Sequence, residues 1–197
     1  AALIESGRVP KDGLVYAPAV SWPTTISPAV QYGLTGLHLA DADRETWGLD
    51  PKWLEESCRN GRPPVLVVLV DVLGTPVDRA PFLSLQAAHG FPILSDSCGA
   101  HGAVWGGQKV GTMEDVSTFS CYVGHQIVAG PEGGMVCTND DELDLILRQL
   151  RAHGWAVDLP DSVRLDQAHA DAIDSFRSRY TFRYPGYNVR NTEFAAK

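Results

Sequence analysis

Lysine is scarce in this sequence. Of 16 basic residues only Lys11, Lys52, Lys109 and Lys197 are lysines, and 24 acidic residues leave a net charge of −8. A surface of that sign suits neither nucleic acid nor an anionic membrane, since both need a basic face. Long apolar runs are missing too, and the longest, residues 65–70, is far too short to span a bilayer. The cysteines Cys58, Cys98, Cys121 and Cys137 are widely and irregularly spaced. That excludes a small disulfide scaffold and the C-x-x-C spacing of a structural zinc or iron–sulfur site, and it points to a reducing cytoplasm. The six histidines form no H-x-x-x-H pair, so no metal site is expected. A G-x-S-x-G elbow, a phosphate loop ending in Gly-Lys-Ser/Thr and a G-x-G-x-x-G turn are also absent, which removes the commonest hydrolase, nucleotidase and dinucleotide readings. What remains is ample apolar sequence, 44% of 197 residues, enough for one domain with a real core.

Short apolar runs alternate with amphipathic segments. Strands are expected over 13–20, 37–40, 64–70, 92–95, 116–121 and 135–138, with a Gly-rich hairpin over 105–111. Helices are expected over 24–32, 52–57, 81–89 and 140–153, the second opened by Asp50 and Pro51. Residues 1–6 read as the second half of a helix and 192–197 as a first turn, the pattern of an internal piece of a longer protein. The stretch 156–180 is polar and irregular and reads as a surface excursion. Alternating strands and helices make this an α/β fold with a mostly parallel sheet, whose chemistry belongs in the loops after the strand C-termini.

Four constellations sit in such loops. Asp96 ends an apolar strand before a small-residue turn and suits a cationic ring nitrogen, a metal or a substrate hydroxyl, or simply a turn cap. Ser120 leads to His125 and then to Glu132-Gly133-Gly134, hydroxyls and flexible backbone that suit a phosphate beside a proton carrier. Trp22, in Ser21-Trp22-Pro23-Thr24-Thr25, can stack on a planar ring or fill a core. Asn188 lies in Tyr184-Pro185-Gly186-Tyr187-Asn188-Val189-Arg190, a turn offering an amide and a cation.

In this order, the segments around Trp22, residues 71–76, 95–102, 107–111, 117–125, 132–134, 138–140 and 186–190 resemble the DegT/DnrJ/EryC1/StrS sugar aminotransferases, fold-type I pyridoxal-phosphate enzymes. The resemblance implies the large domain of that fold, a mostly parallel mixed sheet flanked by helices. This chain would be the domain's central part, with a phosphate-binding segment before it and a small domain after it. It implies that Asp96 pairs with the pyridine nitrogen, Trp22 stacks on the ring and Ser120 binds the phosphate. Asn188 would reach the phosphate of a neighbouring subunit, which makes a homodimer. Five residues after Ser120 the family carries the lysine that holds its cofactor covalently. Here that position is His125.

The swap resembles the branch that removes the 3-hydroxyl of 4-keto-6-deoxy nucleotide sugars in deoxysugar and O-antigen biosynthesis. It implies non-covalent pyridoxal or pyridoxamine 5'-phosphate, His125 as the catalytic proton carrier, a nucleotide-sugar substrate and glutamate as amino donor. Without clustered cysteines the chain is more similar to the members acting on GDP-4-keto-6-deoxymannose than to the iron–sulfur members acting on CDP-sugars. Two departures stand out: Gly99 where the family has a polar side chain near the ring hydroxyl, and the extra Pro131 before Glu132. The alternatives are a nucleotide-sugar aminotransferase of the same family and a truncated, non-catalytic homologue.

Overall fold

A computed structural model describes residues 1–130 and 132–190. Pro131 and the turn expected over 192–197 lie outside them. The strands are β1 (Leu14–Pro18), β2 (Gly36–Ala40), β3 (Leu66–Val70), β4 (Ile93–Asp96), β5 (Val104–Trp105), β6 (Gln108–Lys109), β7 (Val116–Ser120) and β8 (Gly134–Cys137). The helices are α1 (Ala2–Glu5), α2 (Pro23–Gln31), α3 (Pro51–Arg59), α4 (Ala80–His89), α5 (Asp141–Arg151), α6 (Asp161–Ala170) and α7 (Ser175–Ser178).

One six-stranded sheet has the order β2-β1-β3-β4-β7-β8, and β5 and β6 form the expected hairpin. All its neighbours run parallel except β7 and β8, so the sheet is mostly parallel and mixed. The cause is plain in β3, where Leu66 and Val68 face one core while Val67 and Leu69 face the other. A β-branched run with no polar face is stable only when both faces are covered. The first core takes Leu3 from α1 and Leu143, Ile146 and Leu150 from α5. The second takes Leu54 and Cys58 from α3 and Phe82 from α4.

The ends of α5 show how cap and stripe divide the work. Asp140 accepts from Leu143 N at 2.9 Å, and acidic residues fill the first turn. A cap contributes about 1 kcal/mol, whereas each buried leucine contributes roughly 1.5–3. The stripe therefore holds the helix to the sheet, and the cap sets where it starts. At the other end His153 takes a φ of 64° and Gly154 one of 80°. A Cβ on Gly154 would overlap the Tyr184 carbonyl, so only glycine allows the chain to cross there.

The expectation of an irregular excursion over 156–180 fails. The stretch contains a 3-10 turn and the helices α6 and α7. Apolar periodicity is too weak to reveal them, because α6 buries only Arg164 and Ala168. Polar bonds do the work instead: Asp174 caps α7 through Arg177 N at 2.8 Å, and Arg164 joins Asp161 at 2.6 Å to Ser178. Among the described residues no helix is long and apolar enough to cross a membrane.

Candidate active site

Because β1, β3, β4 and β7 are parallel, their C-terminal ends share one sheet edge. Trp22 follows β1, Asp71 follows β3, Asp96 ends β4, and Ser120 ends β7 with His125 five residues beyond. The fold thus gathers four of the five candidate residues where parallel sheets hold their ligands.

Asp96 is half-buried. Its Oδ2 accepts the Thr25 hydroxyl at 2.6 Å and its Oδ1 accepts Cys98 N at 3.2 Å. Among the described residues no cation is paired with it. The Cys98 thiol is pushed up to about 12, first by burial and then by the hydrogen bond and negative charge of Asp96. The carboxylate is thus held by a hydroxyl and an amide and left without a paired cation, as a partner for a cationic ring must be. Trp22 is the N-cap residue of α2, with Pro23 at the first helical position, and its indole is 74% exposed. An indole that open is not filling a core.

The β7 exit is stitched to the Asp96 turn. Ser97 N donates to Thr118 O at 3.0 Å, His101 Nε2 lies 3.0 Å from Ser120 O, and Gln126 Nε2 donates to Gly99 O at 2.9 Å. The last bond uses the Gly99 backbone where a side chain is absent. Ser120 Oγ accepts Tyr122 N at 3.2 Å, and His125 N donates to Tyr122 O at 2.9 Å in a tight turn. The His125 ring sits edge-on to Tyr122, centroids 6.2 Å apart. Of the lysines among the described residues, Lys11 precedes β1, Lys52 opens α3 and Lys109 lies in the hairpin.

Asn188 is not brought to this edge by its own chain. It is exposed and bridges to Ala152, on a segment pinned by Tyr187 N to Leu150 O at 2.7 Å and Val189 N to Arg151 O at 3.0 Å. The Tyr187 hydroxyl donates to that of Tyr32 at 2.7 Å, docking the segment on the end of α2.

Behind Asp96 lies a cluster whose pairing no motif announced. Arg79 is fully buried and grips Asp71 with two bonds of 2.9 and 2.8 Å, while its Nε donates to Glu114 at 2.7 Å. Asp71 also accepts the Ser97 hydroxyl at 2.7 Å, and its backbone N donates to Asp96 O at 3.1 Å. Burial works against the Arg79 charge, yet Asp71 and Glu114 outweigh it and hold the guanidinium above its ordinary pKa. The turn carrying Asp96 is thereby braced from inside. The sequence signal was limited to Asp71 at the head of the segment 71–76; its partner Arg79 lies 8 positions on, and Glu114 a further 35.

The edge itself is open. A cavity of about 310 Å³ bordered by His101, Phe119 and Met135 excludes Asp96, Ser120 and His125. Trp22, Leu73, Tyr122 and Val123 stand exposed around the site.

The DegT/DnrJ/EryC1/StrS aminotransferase family model matches residues 2–197. The GDP-4-keto-6-deoxy-D-mannose 3-dehydratase of Yersinia pseudotuberculosis is 37% identical over 181 residues, 92% of this chain and 44% of that protein. A crystal structure of a mutant GDP-4-keto-6-deoxymannose 3-dehydratase with bound GDP-perosamine superposes with a TM-score of 0.80 at 29% identity, covering 98% of this chain and 50% of that one. The same enzyme with a trapped PLP–glutamate geminal diamine gives 0.79 at 28% identity, with 98% and 50% covered. The chain spans about half the length of the relatives it matches. A family match over this length, on a fold whose sheet edge gathers the motif residues, means that the chain belongs to the DegT/DnrJ/EryC1/StrS aminotransferase family.

Proposed function

We propose that the protein is a pyridoxamine-phosphate-dependent 3-dehydratase of a 4-keto-6-deoxy nucleotide sugar, with GDP-4-keto-6-deoxymannose as substrate. The observation that carries this reading is His125, an imidazole on the β7 exit loop at the sheet edge shared with Asp96. The donor set fits the cofactor: a carboxylate with no paired cation among the described residues, an exposed indole and a strand-end hydroxyl. Bound there, pyridoxamine phosphate supplies an amine for the C4 ketone and a ring that accepts electrons.

Asp96 keeps a proton on the ring nitrogen by presenting a carboxylate already oriented by Thr25 and Cys98. Trp22 covers the ring face, and the Ser120 hydroxyl takes a phosphate oxygen. His125 moves the protons, taking one up at its imidazole nitrogen and delivering one to the departing 3-hydroxyl. An imidazole forms no stable imine, so these residues would hold the cofactor without a covalent bond. Glutamate would be the amino donor. Asn188 serves the phosphate of a second subunit, and a homodimer covers the exposed rim of Leu73, Tyr122 and Val123. The acidic surface fits a cytoplasmic enzyme with a small-molecule substrate.

The test gives full-length protein pyridoxamine phosphate and GDP-4-keto-6-deoxymannose and measures ammonia and sugar products. Ammonia release with a 3-deoxy sugar is expected. An amino sugar would instead make the protein an aminotransferase, and no change with cofactor present would make it a non-catalytic homologue.

A further inference from the structure

Thr25 closes the segment Ser21-Trp22-Pro23-Thr24-Thr25 with no role of its own in the sequence reading, yet it joins the two halves of the site. Its Oγ1 donates to Asp96 Oδ2 at 2.6 Å across 71 positions of sequence, while its backbone N donates to Trp22 O at 3.0 Å. One residue thus holds the indole's helix with its main chain and the carboxylate with its side chain. A threonine in the first turn of a helix commonly bonds nearby backbone; here the hydroxyl reaches across to β4 instead.

The carboxylate needs such a partner. The terminal torsion of an aspartate is broad, so its plane is set only when donors hold both oxygens. Cys98 N takes Oδ1 at 3.2 Å, and Thr25 takes Oδ2 through the shorter, charge-assisted bond. Both donors are neutral, so they orient the anion without cancelling it. A cation in place of Thr25 would orient Asp96 equally well and remove the charge a ring nitrogen requires. The helix bearing Thr25 buries no residue fully, although Ile26 and Ala29 pack on the first core. Its start therefore depends on bonds such as this one.

We infer that Thr25 is a positioning residue that sets the ionised carboxylate of Asp96 and locks Trp22 in register with it. The inference rests on the cofactor reading above. Its test measures pyridoxamine phosphate affinity by quenching of intrinsic fluorescence, together with the melting temperature, in full-length wild type, Thr25→Val and Thr25→Ser. Val keeps the shape and removes the hydroxyl, whereas Ser keeps the hydroxyl. Val should bind about tenfold more weakly and Ser within about twofold of wild type. Wild-type affinity in Val, whatever its melting temperature, would show a mere tether and overturn the inference. Equal weakness in Val and Ser would assign the effect to the methyl group and overturn it as well. If Val does not fold, Thr25→Ala provides the hydroxyl-free protein. No binding by wild type itself would overturn the cofactor reading, and the inference with it.

Discussion

Asp71 and Asp96 close neighbouring parallel strands, and Val70 is the register partner of Asp96. Same residue type, adjacent positions, opposite treatment. Asp71 is 1% exposed and receives a guanidinium fork, a serine hydroxyl and the Val77 amide at 3.1 Å. Asp96 is half-buried and receives a hydroxyl and an amide, and among the described residues no cation. An anion neutralised inside the protein has nothing left to offer a ligand, whereas one held by neutral donors keeps its charge available. The first acid builds the edge and the second uses it.

Removing the internal cation should break this contrast most severely. Arg79→Met strands Asp71 and Glu114 in the core, and the expected loss is about 3–5 kcal/mol, read from denaturant unfolding. Retention of stability would mean that water reaches the cluster and that Asp71 is not the structural member of the pair.

Asp96→Asn should do the reverse. Stability should stay within about 1 kcal/mol of wild type, while pyridoxamine phosphate binds at least about tenfold more weakly. Thermal melting and a cofactor titration on one preparation measure both. A large loss of stability with normal binding would exchange the roles of the two acids.

Asp140 lies between the extremes, a partly exposed cap whose charge is used locally. The Leu143 amide, opposed by partial burial and joined by Arg8, holds its carboxyl below the ordinary range. A lowered folded pKa contributes stability that is present above the unfolded value and lost as pH falls below about 4. Asp140→Ala should cost about 1 kcal/mol near neutral pH, and the difference from wild type should shrink in acid. A pH-independent difference would leave the cap without an electrostatic part.

The smallest effect needs no change in stability. With its thiol at about 12, Cys98 is on the order of 10⁻⁴ thiolate at pH 8, so iodoacetamide should modify exposed Cys137 well before it. Asp96→Asn should speed the reaction at Cys98. If it does not, the charge of Asp96 is compensated after all.

Much of the fold could be read in the chain. The β-branched run at 66–70 and the stripe of Leu143, Ile146 and Leu150 follow local periodicity, and both lie where that periodicity put them. The helices over 161–178 escaped because polar side-chain bonds, not an apolar stripe, hold them. Asp96, Ser120 and His125 were legible through a resemblance in spacing, as candidates without geometry. The bonds of Thr25 and of the Arg79 cluster were not, since the side chains they join lie 8, 35 and 71 positions apart with no periodic pattern linking them.

Composition and order alone decided that the chain is an acidic α/β protein and that His125 stands where a lysine would bind a cofactor. These are statements about identity and sequence distance, which a linear code carries completely. Only the tertiary structure decided which of two adjacent acids is neutralised and which stays available. That choice depends on burial and on bonds spanning 8, 35 and 71 positions, closed by parallel strands whose connections no local pattern records.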